Sequence, residues 1–419
     1  MILSSANYGT IQAHMKTNLT LFILLFLIVS CLNKSTPDKY TPEPRMSSWG
    51  SVFIIAQSQQ THAPAIEING NNIFAAWIAV DENGPHHYIS NITTDRQQIT
   101  DTLPLNPIYP HMITIAPAAN YNTHIVWMDA ETDRPGAELR LWSALLTPAL
   151  QMERGPILVT DKRTGHYTAV SASNGDLWVI WSGGLLSEPS LFIQRVDGIG
   201  RRWYPDQLLY GADWPTAIYV GTTLYLFWIG VPDNVVYRAI LRDGQLEQIT
   251  PLTTSVRLNR GDRLATFDVG IDTSNAYLFW NIVRSDGQAQ TWMTNGAFNA
   301  TEWSEPTRLG VDTSKLPFDT GYNGGIGLQA TAGQNWASWA APMKSQSDKL
   351  LLAAQVDNVL GIIYLNDGQI LSYQPVFELD EVGLIGVPSL SADIEHHLYL
   401  AWSKPTTNGY AELTLAMTR

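Results

Sequence analysis

From Trp49 to the C-terminus, short runs alternate apolar and polar residues and break at Gly, Asn, Asp or Pro, a period-two pattern that predicts β-strands joined by turns. No stretch sustains a helical period. Residues 137–146 alternate as well as they cycle, and their place between neighbouring strands assigns them as strand. One feature recurs: an apolar run closing on tryptophan, at 73–77, 124–127, 177–181, 224–228, 277–280, 336–339 and 398–402. The closing residues Trp77, Trp127, Trp181, Trp228, Trp280, Trp339 and Trp402 stand 50, 54, 47, 52, 59 and 63 residues apart, room for four short strands in each interval.

Each interval fills in the same way. A first strand, such as 65–68 or 216–219, leads through a tight turn (69–72, 174–175) into the tryptophan run as second strand. A third strand (139–142, 235–238) and a fourth (157–160, 246–249) follow. After Trp402 only a third strand remains, around 413–416, whereas 49–55 precedes the first complete interval and resembles the fourth strand at 303–309. Pairing the opening strand into the last sheet would remove an exposed edge. Residues 49–419 number 371, or 53 for each of seven units. The predicted fold is therefore all-β: one seven-bladed β-propeller over 49–419, its ring closed by the N-terminal strand, with no second domain.

This blade plan, a small-residue strand, a Gly or Asn turn and an apolar run ending in Trp, resembles the blades of sialidase-like, BNR-type propellers over nearly all of 49–419. The resemblance implies the ring. It does not extend to the family's reaction motifs: Ser285 to Trp292 is spaced differently from an Asp-box, and Asp133-Arg134-Pro135 lacks the isoleucine of an Arg-Ile-Pro motif.

Charge and cysteine usage add an address. Lys and Arg number 25 against 38 Asp and Glu, a net charge of -13 that repels phosphate backbones and excludes nucleic acid as an expected partner. A single cysteine rules out an internal disulfide and leaves too few thiolates for a zinc-thiolate cluster; no cofactor and no metal are expected. That cysteine, Cys31, directly follows the apolar run 21–29 and Ser30, with Lys16 upstream. Nine apolar residues are too few to span a bilayer and read as a secretion signal. Ile28-Val29-Ser30-Cys31 resembles the bacterial lipobox, which implies cleavage before Cys31 and its acylation. Residues 1–30 are then the signal segment, with Met15 the expected start, and the polar, proline-containing 31–48 a tether to the membrane of a bacterial, extracytoplasmic protein.

In a propeller the loops before first strands and after second strands open on one face beside the channel. Counting back 15 residues from Trp77, Trp181 and Trp228 reaches His62, His166 and Asp213, and 16 back from Trp127 reaches His111. These groups suit hydrogen bonding to a polar ligand or proton transfer, whereas ligation to about 2 Å would require all four to meet at the axis. Trp214, outside the repeat register, is expected to stack on the ligand, and the seven closing tryptophans to pack between blades. Arg257, Arg260 and Arg263 offer guanidiniums to a carboxylate, or form a solvated loop paired with Asp262 and Asp268. Asp81, Glu82, Asp129, Glu131, Asp133 and Glu188 are loop acids whose pairing the sequence leaves open. No phosphate loop, zinc-binding helix or nucleophile elbow occurs. The expected function is a lipid-anchored, monomeric propeller that binds a glycan or protein ligand at its channel face without catalysis. The alternatives are a divergent sialidase-like glycoside hydrolase and a structural cell-envelope assembly protein.

Overall fold

The alternating runs pair into seven antiparallel sheets, arranged as a seven-bladed β-propeller. The computed structural model describes residues 49–418 except 62, 83, 94–102, 106–108, 131, 133–136, 161, 186, 202–205, 313–332, 344–348 and 380–382. The expected signal segment, Cys31 and the expected tether lie outside the described residues.

Strands are lettered A to D from the channel outward. Blade 1 comprises Gln60–Thr61 with Ala65–Asn69, then Asn72–Asp81, Gly84–Thr93 and Leu103–Leu105. Blade 2 comprises Tyr109–Pro117, Thr123–Ala130, Leu139–Leu146 and Met152–Thr160. Blade 3 comprises Thr164–Ser171, Leu177–Leu185, Glu188–Val196 and Asp206–Tyr210. Blade 4 comprises Ala212–Val220, Thr223–Gly230, Val235–Arg242 and Gln245–Ser255. Blade 5 comprises Arg263–Ile271, Asn275–Val283, Ala289–Ala297 and Thr307–Arg308. Blade 6 comprises Gln334–Pro342, Leu350–Val356, Val359–Asn366 and Gln369–Glu378, with Gly310–Asp312 added beside the start of strand A. Blade 7 takes strands A to C from Ser389–Ala392, Leu398–Pro405 and Ala411–Thr418, and strand D from Trp49–Ser58. The ring thus closes as predicted, with Val52 opposite Ala416, Ile54 opposite Thr414 and Ser58 opposite Ala411.

Because successive strand side chains point to opposite faces, every central strand feeds two interblade cores. In blade 6, Leu350, Leu352 and Ala354 pack towards Tyr277 and Phe279 of blade 5, while Leu351 and Ala353 pack towards Leu400 and Trp402 of blade 7. Trp77, Trp127, Trp181, Trp228, Trp280 and Trp402 are all buried, as interblade packing requires. In blades 1 to 5 each strand-B tryptophan stands opposite an aromatic residue of strand C: Tyr88, Trp142, Phe192, Tyr237 and Trp292.

One element departs from the expected phase. The run 336–339 is the innermost strand of blade 6, not its second: Asn281 of blade 5 bonds the backbone of Ala340 on both N–H and C=O, a contact made by a neighbouring strand A. The second strand is Leu350–Val356, in which Ala354 takes the place that Trp402 has in blade 7. Counted to Ala354, the following interval to Trp402 is 48 residues, so the 63 residues counted from Trp339 carry the sequence trace of this shift.

Candidate functional site

The strands A slip register at a common place, where the chain comes up to the channel mouth. The shifts fall between Pro110 and Met112, Thr164 and Tyr167, Asp213 and Thr216, Leu264 and Thr266, and Ala337 and Trp339. Each lies opposite or next to the residue that follows the repeat tryptophan, or Ala354 in blade 6. A β-bulge leaves one residue out of the ladder and re-aims its side chain, so five consecutive blades turn side chains out at the same height. His111, His166 and Asp213 all lie at such bulges.

The structure brings three of the expected residues together, where blade 3 meets blade 4. His166 Nδ1 lies 3.0 Å from Asp213 Oδ1 across the blade boundary. The imidazole stacks on Trp214, with ring centroids 3.3 Å apart and planes 19° apart. Trp214 adopts φ +53°, a left-handed conformation that side chains rarely take, and its own N–H donates to Asp213 Oδ1 at 2.7 Å. Ser182, the residue after Trp181, receives the His166 N–H on Oγ at 2.9 Å and also bonds Asp213. Gly165 is needed here because a Cβ would come within 2.9 Å of Ser182 Oγ.

Charge follows from this arrangement. Burial works against ionisation of Asp213, but the hydrogen bonds from His166, Ser182 and the Trp214 N–H outweigh it and hold the carboxyl below the usual carboxylate range. An ionised carboxylate only accepts, so Nδ1 of His166 carries the proton. Nε2 remains for a ligand. The imidazole is 36% exposed and borders an open cleft of about 260 Å³, walled by Leu139 of blade 2, Arg163, the Gly183–Gly184 backbone and Leu185. Among the described residues nothing pairs with the Arg163 guanidinium. Sequence reasoning missed Arg163, Ser182 and Gly165, although Gly165 beside His166 and the pair Gly183-Gly184 after Trp181-Ser182 were visible signs of close backbone approach.

The other candidates stand apart. His62 lies outside the described residues, and of His111 only the backbone, on strand A of blade 2, is described. Arg257 and Arg260 are exposed on the loop into blade 5, and Arg263 is exposed at the start of its strand A. Neither acid suggested for them takes that role: Asp262 accepts from Asn259 and from the Ser285 N–H, and Asp268 from Thr216. Asp129 is buried and accepts the Trp142 indole N–H at 2.9 Å, a structural role. Glu82 and Glu188 are exposed; Glu131, Asp133 and the Asp81 side chain lie outside the described residues. Among the described residues no three His, Cys, Asp or Glu side chains converge as a metal site would require.

No family model matches the sequence, and no curated protein is similar to it. Among solved structures, the polysaccharide lyase Uly1 is similar in fold, with a TM-score of 0.55 and 12% identity over 92% of this chain and 94% of that one. The α-L-arabinofuranosidase Arb93A from Fusarium graminearum matches with a TM-score of 0.46 and 10% identity, over 75% of this chain and 94% of that one. NanB with Optactamide matches with a TM-score of 0.46 and 8% identity, over 88% and 70%. At these identities the likeness is one of fold: the chain is a seven-bladed β-propeller.

Proposed function

We propose that this propeller recognises a glycan, held outside the cytoplasm by acylated Cys31, and that its ligand seat is the cleft at His166, Asp213 and Trp214. The observation that carries this reading is the locked aromatic platform: an imidazole stacked on an indole, fixed by a carboxylate at 3.0 Å and facing open space. A sugar ring presents C–H faces and a rim of hydroxyls, which match an aromatic surface flanked by Nε2 and Arg163. The likeness in fold to a polysaccharide lyase over nearly the full length of both chains supports a carbohydrate ligand. Recognition without hydrolysis is favoured because two-carboxyl hydrolysis needs a partner acid at about 5 Å or more. Among the described cleft-lining residues Asp213 is the one carboxylate, and its bonds to three donors commit it to holding the site together.

The test is a glycan array, followed by titration calorimetry on the best ligand. Trp214→Ala and Asp213→Asn should each weaken binding at least tenfold while the circular dichroism stays that of the wild type. Unchanged affinity in both variants would remove the cleft from consideration. Turnover on a fluorogenic glycoside panel, abolished in Asp213→Asn, would replace recognition by the hydrolase reading. Mass spectrometry of the mature N-terminus should find acylated Cys31, and an unmodified thiol there ends the anchor proposal.

A further inference from the structure

A second surface on the channel-mouth side carries a charge opposite to that of the whole molecule. In a chain of net charge -13, Arg257, Arg260, Arg263, Arg284 and Arg308 run along the mouth-side end of blade 5, from the loop that enters it from blade 4 to its border with blade 6, against Asp262, Asp286 and Asp312 in the same segments. Two contacts make them one patch. Asp262 Oδ1 accepts the Ser285 N–H at 3.3 Å, and Gly261 packs so closely on Ser285 that a Cβ would lie 3.1 Å from the serine Cβ. These seat the arginine loop against the turn that carries Arg284. From there the patch continues to Arg308, whose guanidinium lies 5.0 Å over the ring of Trp336.

These cations are poorly compensated. Among the described residues no carboxylate pairs with Arg257, Arg260, Arg263 or Arg308, and Arg284 has only Asp286, at 3.8 Å. Nε of Arg308 is buried with no hydrogen-bond partner. Burial first, and the charge of Arg284 second, make the Arg308 guanidinium more acidic than usual, as expected of like charges held together. Trp336 is 41% exposed, with the Arg308 guanidinium over its ring. Guanidiniums take carboxylate or sulfate through paired hydrogen bonds, and an exposed indole takes the C–H face of a sugar ring. We infer that Arg257, Arg260, Arg263, Arg284, Arg308 and Trp336 form a second subsite for an acidic polysaccharide, bearing carboxylate or sulfate groups, on the same face as the His166 cleft. This assignment rests on the carbohydrate reading of that face and adds the chemical class of the ligand.

The experiment measures binding of the full chain in detergent micelles to four probes at low and high salt: polygalacturonate, its fully methyl-esterified neutral form, dextran sulfate and inorganic polyphosphate. The subsite predicts that polygalacturonate, dextran sulfate or both bind at least tenfold more tightly than the neutral ester, and that salt erodes the difference. Which of the two binds identifies the anionic group. The exposed pair Arg260→Glu/Arg263→Glu should abolish this preference, and Trp336→Ala should weaken it severalfold. Trp214→Ala should abolish binding of the neutral ester while leaving the charge preference in place. Wild-type preference in Arg260→Glu/Arg263→Glu would overturn the subsite. Polyphosphate binding as tight as that of either polysaccharide, with the same arginine dependence and no effect of Trp336→Ala, would overturn the saccharide assignment instead.

Discussion

His124, at the start of strand B in blade 2, is buried against the A–B turn of blade 3 and lies 2.9 Å from the Gly175 carbonyl through Nε2. A carbonyl only accepts, so Nε2 carries the proton. Burial is the largest influence on the ring and holds its pKa below 6.5, against the opposing pull of Gly175, Asp176 and Asp197. The unfolded chain therefore takes up a proton before the folded one does. The stabilisation is complete above pH 6.5 and is lost as pH falls from 6.5 towards the folded value, by up to about 1.4 kcal/mol per pH unit. Urea unfolding at pH 7 and pH 5 should show the wild type losing stability on acidification by more than His124→Gln does; equal losses would refute the burial argument. Asp213 acts lower on the scale. Its pKa is depressed, so its stabilisation is present above the ordinary carboxylate value of 3.8 and disappears as pH falls through the folded value. His166 and Asp213 were legible in the sequence because a repeat tryptophan gave them a common offset. Their direct contact was not, since it depends on how closely adjacent blades approach at the rim.

Between residue and ring stand the strand pairs. Opposing aromatics on strands B and C are 5.7 Å apart and nearly parallel at Trp77 and Tyr88, 5.8 Å at Trp181 and Phe192, and 5.7 Å at Trp228 and Tyr237. The pair fixes strand register as well as filling the interblade core. Trp181→Ala should cost about 3–5 kcal/mol, whereas Trp336→Ala, on a 41% exposed side chain, should cost less than about 1 kcal/mol; thermal unfolding of both checks the contrast. The tryptophan run announced strand B in six blades, but the aromatic on strand C follows at variable distance and left no fixed spacing to read. Blade 6 misled for a physical reason: its strand B fills the core with Leu and Ala, so the nearest tryptophans belong to strand A. The turns on the opposite face carry a second device, equally hidden in sequence. Asp272 accepts from Tyr277 OH at 2.5 Å and from two backbone N–H groups of its own turn, and Asp393 from Tyr399 OH at 2.9 Å and two likewise. Burial raises both tyrosine pKa values and the carboxylates add to the effect, so each hydroxyl keeps its proton and donates. Tyr399→Phe should lose about 1–2 kcal/mol, measured by urea unfolding at neutral pH.

At the scale of the whole molecule, stability depends on circular continuity. Every interblade core is shared, so a blade with a missing outer strand also weakens the cores on its flanks. Blade 7 is the place where that could happen, because its fourth strand comes from the far end of the sequence. Strand Trp49–Ser58 covers the N–H and C=O groups of Ala411–Thr418 that would otherwise form an open edge. It also carries Trp49 into the core between blades 6 and 7 and Ile55 into the core between blades 7 and 1. Fully burying these two side chains contributes on the order of 3–6 kcal/mol, before the strand's backbone hydrogen bonds are counted. Replacing residues 49–58 with a Gly/Ser stretch of the same length keeps the chain connectivity and removes both the apolar contacts and the strand preference. The altered protein should unfold at a temperature lower by several degrees and form soluble oligomers on size-exclusion chromatography, as the exposed edge recruits strands from other copies. Adding back a synthetic peptide of residues 49–58 in trans should reverse both effects, because the vacated edge specifies its partner by register and by the pockets for Trp49 and Ile55. A protein that lacks this strand yet unfolds at the wild-type temperature as a monomer would show that the ring holds without its closure.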